Sequence, residues 1–332
     1  MSSAETLPPR QAADARFYVC HETIYTYGGE VAHSHQQLHL TPRAYARQRC
    51  LTHTIDIQPA PSARSERLDA FGNTTTRLEF DRPHAQLAVI ATMEVELRPA
   101  APIPADDGEP WERVRDQLCY SARPCSEGLL EAMRFRTESP YVRVKKVFGE
   151  FGQECFEPGR PVLAVAQALM HKIHSEFTYA PGETQVATPL LEVLEKRHGV
   201  CQDYAQLMIA CLRSRGLAAR YVSGYLRTRP RAEGADGATG TAEEARGAAE
   251  KRIAPDETVR IGADASHAWV AVYAPPFGWV EFDPTNNLRV DQEHIALAWG
   301  RDFSDVSPLR GVLLGGGKHT LTVRVAVLPL PT

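Results

Sequence analysis

KRHGVCQDYAQLMIACLRSRGLAARYVSGYL, residues 196–226, reads as turn, helix, tight turn and strand. Gly199 ends the preceding segment, and Cys201 opens a helix whose apolar positions recur at Cys201, Ala205, Met208 and Leu212. Arg213 and Arg215 fall in the last turn, where cations suit the helix dipole, and Gly216 is placed to cap it. Tyr221, Val222 and Tyr225 supply the β-branched and aromatic character of a strand. A cysteine at a helix start faces unpaired N–H groups and the positive end of the macrodipole, a setting that favours thiolate. The same N–H groups suit an oxyanion.

Two further segments complete a chemical set. Ser266-His267-Ala268-Trp269-Val270 begins a strand-like run to Tyr273, and Gly278-Trp279-Val280-Glu281-Phe282-Asp283-Pro284-Thr285 follows a Pro275-Pro276 turn. Together they read as a hairpin that brings His267 and Asp283 to neighbouring strand ends. Cysteine, histidine and aspartate in this order supply a nucleophile, a base and a group to orient the base.

GVCQDYA, DASHAWV and GWVEFDPTN together resemble the three motifs of the bacterial transglutaminase-like superfamily. The resemblance implies an α+β protein with a papain-like transglutaminase core, in which Cys201 is the nucleophile, His267 the general base and acid, and Asp283 the orienter. The implied chemistry is acyl transfer from a peptide or protein amide through a thioester. Water as acceptor makes a cysteine peptidase or amidase, the outcome the resemblance favours; an amine makes a protein-glutamine transglutaminase. A non-enzymatic peptide-binding or assembly module is a further alternative, against which the intact cysteine, histidine and aspartate weigh. Tyr179 and Gln202, close to the nucleophile in sequence, are candidates for a second oxyanion hydrogen bond.

The chain has 332 residues, enough for two domains. Its 37 Lys and Arg against 41 Asp and Glu leave a net charge of -4, which offers no general attraction to nucleic acid or anionic membranes. No apolar run approaches the roughly 18 residues of a membrane span. Seven scattered cysteines without a CxxC pair argue against a disulfide framework and a structural zinc site. With no secretory h-region near the N-terminus, a cytoplasmic location is expected. No cofactor is called for.

Residues 1–15 are expected to be a disordered leader. From 16 to 100 alternating apolar runs, with a Gly72-Asn73 turn, predict a small antiparallel β-sandwich or barrel domain. Its histidines, including His33, His35 and His39, read as strand histidines rather than a metal site. Residues 101–160 read as a helical connector, with helical character after Pro110 and from Tyr141 to Phe151. The catalytic core is expected over 161–332. Pro161 starts one of its helices, on which His171 and His174 read as surface residues because HExxH is absent. Thr188-Pro189 starts another, ending at Gly199. Residues 231–258, rich in Ala, Gly, Glu and Arg, read as a mobile insertion beside the site. Arg301, Asp302 and Asp305 suggest a structural ion pair, Gly315-Gly316-Gly317 a turn, and the final alternating run a closing strand of the core.

Overall fold

The computed structural model describes residues 14–120, 124–227 and 266–331, so most of the expected leader and all of the 231–258 insertion lie outside the described residues. Ala15, counted with the leader in the sequence reading, already opens the first strand.

The N-terminal region forms β1 (Ala15–Leu38), β2 (Gln48–Gln58), β3 (Ala63–Leu68), β4 (Thr74–Phe80) and β5 (His84–Leu97). Helices α1 (Trp111–Gln117), α2 (Glu127–Met133), α3 (Lys146–Phe151) and α4 (Val162–Glu176) follow. Next come β6 (Thr178–Tyr179), α5 (Leu190–Lys196), β7 (His198–Gly199), α6 (Cys201–Ser214) and β8 (Ala219–Leu226). The chain continues through β9 (His267–Ala274), β10 (Gly278–Asp283), β11 (Leu288–Arg289), β12 (His294–Gly300) and α7 (Phe303–Val306). It ends in β13 (Leu309–Gly315) and β14 (His319–Leu330).

The first sheet is antiparallel, in the order β2-β5-β1-β4-β3, with β13 and β14 also paired to β1. β1 runs through Gly28-Gly29 with a register shift there, and the Gly28 amide donates to the Lys318 carbonyl at 2.7 Å. A side chain on Gly28 would press that carbonyl at 2.9 Å. The C-terminal strands also correct the expected domain division. β14 runs along Arg16–Tyr27 and β13 along Val31–Leu38, so both complete the N-terminal sheet rather than the core. The turn joining them has Gly315, Gly316 and Gly317 all at positive φ.

The second sheet has the order β11-β10-β9-β8-β12. One face packs on the helices in a cluster containing Trp111, Phe135, Phe148, Leu169, Met208, Trp269 and Phe282. Tyr225, Ile295 and Leu297, from β8 and β12, point the other way and join the apolar cluster of the N-terminal sheet. The connector helices therefore belong to the core's packing. Helix from Tyr141 is not realised before Lys146, since the amides of Tyr141 and Val144 donate to Asp302 and Glu138 side chains instead.

β12 is an edge strand, and two amide side chains from the N-terminal region close it. Gln48 accepts from the Ala296 amide and donates to its carbonyl, while Asn73 does the same for Trp299. Asn73 is fully buried, so the turn residue of the sequence reading also joins the sheets. Leaving a buried backbone donor and acceptor unpaired costs about 1–3 kcal/mol each. Asn73→Ala is expected to lower unfolding stability by ~2 kcal/mol or more in urea titrations; a change within a few tenths would show that water or a neighbour replaces the amide.

Candidate active site

Helix α6 presents Cys201 at its first turn. The segment before it is turned sharply: α5 ends at Lys196, short of the expected Gly199, because Arg197 takes a left-handed φ of 59°. His198 and Gly199 then pair in parallel with Thr178 and Tyr179. Asp203 holds the helix start, accepting from the Val200 amide at 2.8 Å and the Thr184 hydroxyl at 2.7 Å. A side chain on Gly199 would meet that carboxylate at 2.7 Å, so glycine is required by space rather than by φ.

Arg213 fixes the other end of the helix. Its buried guanidinium donates to the carbonyls of Phe135, Ala219 and Arg301 and to the Ser139 hydroxyl. Burial lowers its pKa to about 9, against the pull of Asp302. Gly216, at φ 79°, makes the expected turn into β8. Arg301 and Asp305 form the ion pair suggested by their spacing.

The β9–β10 hairpin carries the other two candidates. Phe282 lies opposite Val270, a register that sets Asp283 diagonal to His267 on one face. His267 Nε2 donates to Asp283 Oδ2 at 2.9 Å, and both side chains are wholly buried. Among the described residues, His267 Nδ1 has no hydrogen-bond partner, and the Cys201 thiol is a further neighbour of the ring beside Asp283. Burial alone would lower the imidazole pKa; Asp283, by charge and hydrogen bond, and Cys201 outweigh it and bring it up to about 10.

Asp283 collects more donors than the sequence suggests. Oδ1 accepts from the amides of Thr285 and Asn286, and Oδ2 from His267, the Asn286 side chain at 2.8 Å and His294 Nε2 at 3.2 Å. Burial opposes the charge, but both histidines hold this carboxyl well below the usual carboxylate range. His294 and Asn286 were not singled out by sequence reasoning. The only signal for Asn286 is its place just after an Asp-Pro, where an amide folds back readily. His294 heads a strand eleven residues from Asp283, and no local pattern announces their contact.

Tyr179 and Gln202 are near the helix start. Tyr179 packs edge-on against Tyr204, and Gln202 donates to the Val186 carbonyl at 3.0 Å. His171 and His174 are turned toward the loop after β10, meeting the Asn287 side chain and the Thr285 carbonyl. His33 and His35 approach Asp81 and Glu79 at the surface, whereas His39 is buried against the Ser307 carbonyl. The grouping of potential metal-binding atoms among the described residues is His267, Asp283 and His294, all within 4.8 Å. Hydrogen bonds to the shared carboxylate account for that closeness.

Residues 150–284 match the transglutaminase-like superfamily, and residues 17–96 the bacterial transglutaminase-like N-terminal region. The chain belongs to the transglutaminase-like superfamily. It is 35% identical over 337 residues to the uncharacterised protein Rv2569c of Mycobacterium tuberculosis, covering 99% of this chain and 98% of that one. The uncharacterised protein ML0607 of Mycobacterium leprae is 29% identical over 316 residues, covering 95% of this chain and 99% of that one. The crystal structure of a proposed cysteine protease from Cytophaga hutchinsonii shares the fold with TM-score 0.68 and 18% identity, over 97% of this chain and 93% of that one. Superfamily membership places the chain among proteins that are typically thiol-dependent acyl-transfer enzymes. Among the described residues no helix is long and apolar enough to cross a membrane.

A group that binds its proton more tightly folded than unfolded stabilises the fold fully below its ordinary value, here 6.5, and loses that contribution as pH rises toward about 10. The stability gap between wild type and His267→Gln is therefore expected to be widest below pH 6.5 and to narrow toward pH 10, in urea titrations at fixed pH. A gap independent of pH would show that the folded protein does not favour the imidazolium.

Proposed function

We propose that the chain is a cysteine peptidase or amidase acting on a peptide or protein amide through Cys201, His267 and Asp283. The observation that supports this reading is the His267 ring: Nε2 is committed to Asp283, Nδ1 makes no hydrogen bond of its own among the described residues, and Cys201 is among the neighbours that raise the ring's proton affinity. A histidine so placed holds the thiol's proton and can return it to a leaving group.

The Cys201 thiolate attacks the amide carbonyl carbon, and the carbonyl electrons move onto oxygen. Unpaired N–H groups in the first turn of α6 face the resulting oxyanion. The tetrahedral species collapses as the carbon–nitrogen bond breaks, and His267 gives its Nδ1 proton to the departing amine. A thioester on Cys201 remains. Neutral His267 then takes a proton from water as its oxygen attacks the thioester carbon, and the acid leaves while thiolate and imidazolium are restored. Asp283 exchanges no proton in this cycle; it fixes the tautomer and balances the imidazolium charge.

Other cysteines are poor competitors for the role. Burial pushes the Cys155 thiol up and Cys211 farther still, while Cys119 and Cys125 are exposed. Limited iodoacetamide labelling at mildly acid pH, followed by peptide mapping, is expected to modify Cys201 first. Labelling of Cys119 or Cys125 at the same rate would remove Cys201 as the activated nucleophile.

Turnover of a peptide and glutamine-donor library, with products identified by mass, decides the acceptor. Hydrolysed acids support the proposal, whereas stable amine adducts in place of acids replace peptidase with transferase. Asp283→Asn is expected to lower turnover by roughly four orders of magnitude while still forming a slow thioester with an activated ester. Wild-type turnover in that variant would withdraw Asp283 as the orienter.

A further inference from the structure

A second imidazole rests on the carboxylate that serves His267. His294, first residue of β12, is buried with 1% of its surface exposed and places Nε2 3.2 Å from Asp283 Oδ2. Its Nδ1 is 3.2 Å from Oδ1 of Asp291, whose side chain is 49% exposed. A line of contacts thus runs from the surface through Asp291, His294 and Asp283 to His267 and Cys201. None of the chemical steps above uses its outer half.

We infer that His294 is a positioning residue, which shares Asp283 Oδ2 with His267 and so sets how firmly His267 holds its proton. The inference rests on the proposed roles of Cys201, His267 and Asp283. A carboxylate oxygen divides its negative charge among the donors it accepts. Each N–H that His294 directs at Oδ2 weakens what Asp283 returns to His267. His294 lies between two carboxylates, with Nδ1 toward Asp291 and Nε2 toward Asp283, so a change in the charge of exposed Asp291 alters what the ring offers Asp283.

The surroundings leave these groups in control. The Trp269 ring meets the His294 ring edge-on, with centroids 5.3 Å apart, and the His267 ring is 6.3 Å away. Glu281, on β10, is engaged by Trp269 Nε1 and lies 3.8 Å from Arg47. Arg47 also donates to the Asp291 carbonyl. On the β8 side, the strand partner of His294 is Leu226, followed by Arg227, which is paired with Glu293.

Iodoacetate reports the state of His267 without a substrate, because its carboxylate is drawn to the imidazolium and alkylation slows when that charge is lost. The pH dependence of Cys201 alkylation, read by intact mass, is to be compared in wild type, His267→Gln, His294→Phe, His294→Gln and Asp291→Asn. Phenylalanine keeps a ring against Trp269 but donates nothing to Asp283. Its alkaline limb is expected to move up by about one pH unit. Glutamine, which retains an N–H donor, should fall between this variant and wild type, and Asp291→Asn should move the limb the same way by less. A purely space-filling His294 would leave every limb in place, and that result overturns the inference. Should His294→Phe not fold, an unmoved limb in Asp291→Asn, which alters a surface position, overturns it equally. A wild-type profile matching His267→Gln would instead remove the proposed cysteine–histidine pair, and this inference with it.

Discussion

A carboxylate with no exposed surface governs the arrangement of the second sheet. Taking an unpaired charge out of water costs several kcal/mol, so Asp283 is tolerable only where donors surround it. Those donors come from the turn that follows it, from the head of β9 and from the head of β12. Each must arrive in register for the charge to be compensated. The requirement that makes Asp283 useful to an imidazole also fixes three strands with respect to one another.

The nucleophile is held on a different principle. Cys201 sits on a helix secured at its start by Asp203 and at its end by Arg213, both buried. Burial raises the carboxyl pKa of Asp203, while hydrogen bonds from Val200 and Thr184 act against the rise. Arg213 spends its donors on backbone carbonyls from the connector, from β8 and from the loop before α7. The helix can therefore neither slide nor rotate cheaply relative to the hairpin bearing His267. That rigidity holds Cys201 and His267, from distant parts of the chain, in a fixed relation to each other.

What was legible in the sequence was local. The periodicity from Cys201 to Leu212, Gly216 as a terminator and the hairpin around Pro275-Pro276 each follow from neighbours a few residues apart. The three motifs marked the superfamily because each is several residues long and they stand in the same order. Contacts without a sequence period stayed hidden. Gln48 and Asn73 bind backbone more than two hundred residues away, and any polar side chain of suitable reach would look the same in the sequence. His294 resembled an ordinary strand residue until β12 was placed beside β8. The final run forms a strand, β14, as predicted, yet alternation identifies a strand and not its partner, so its membership of the first sheet could not be read from it.

That membership bears on how the protein emerges from the ribosome. β1 is synthesised well before the strands that flank it along much of one edge, which come from residues 309–330. The whole papain-like unit lies between them. A nascent chain must keep a long strand edge unpaired while the intervening helices and sheet are being made, the period when such an edge is most exposed to other chains. Completion of the first sheet then waits for residues 309–330, with the papain-like unit enclosed as an insert.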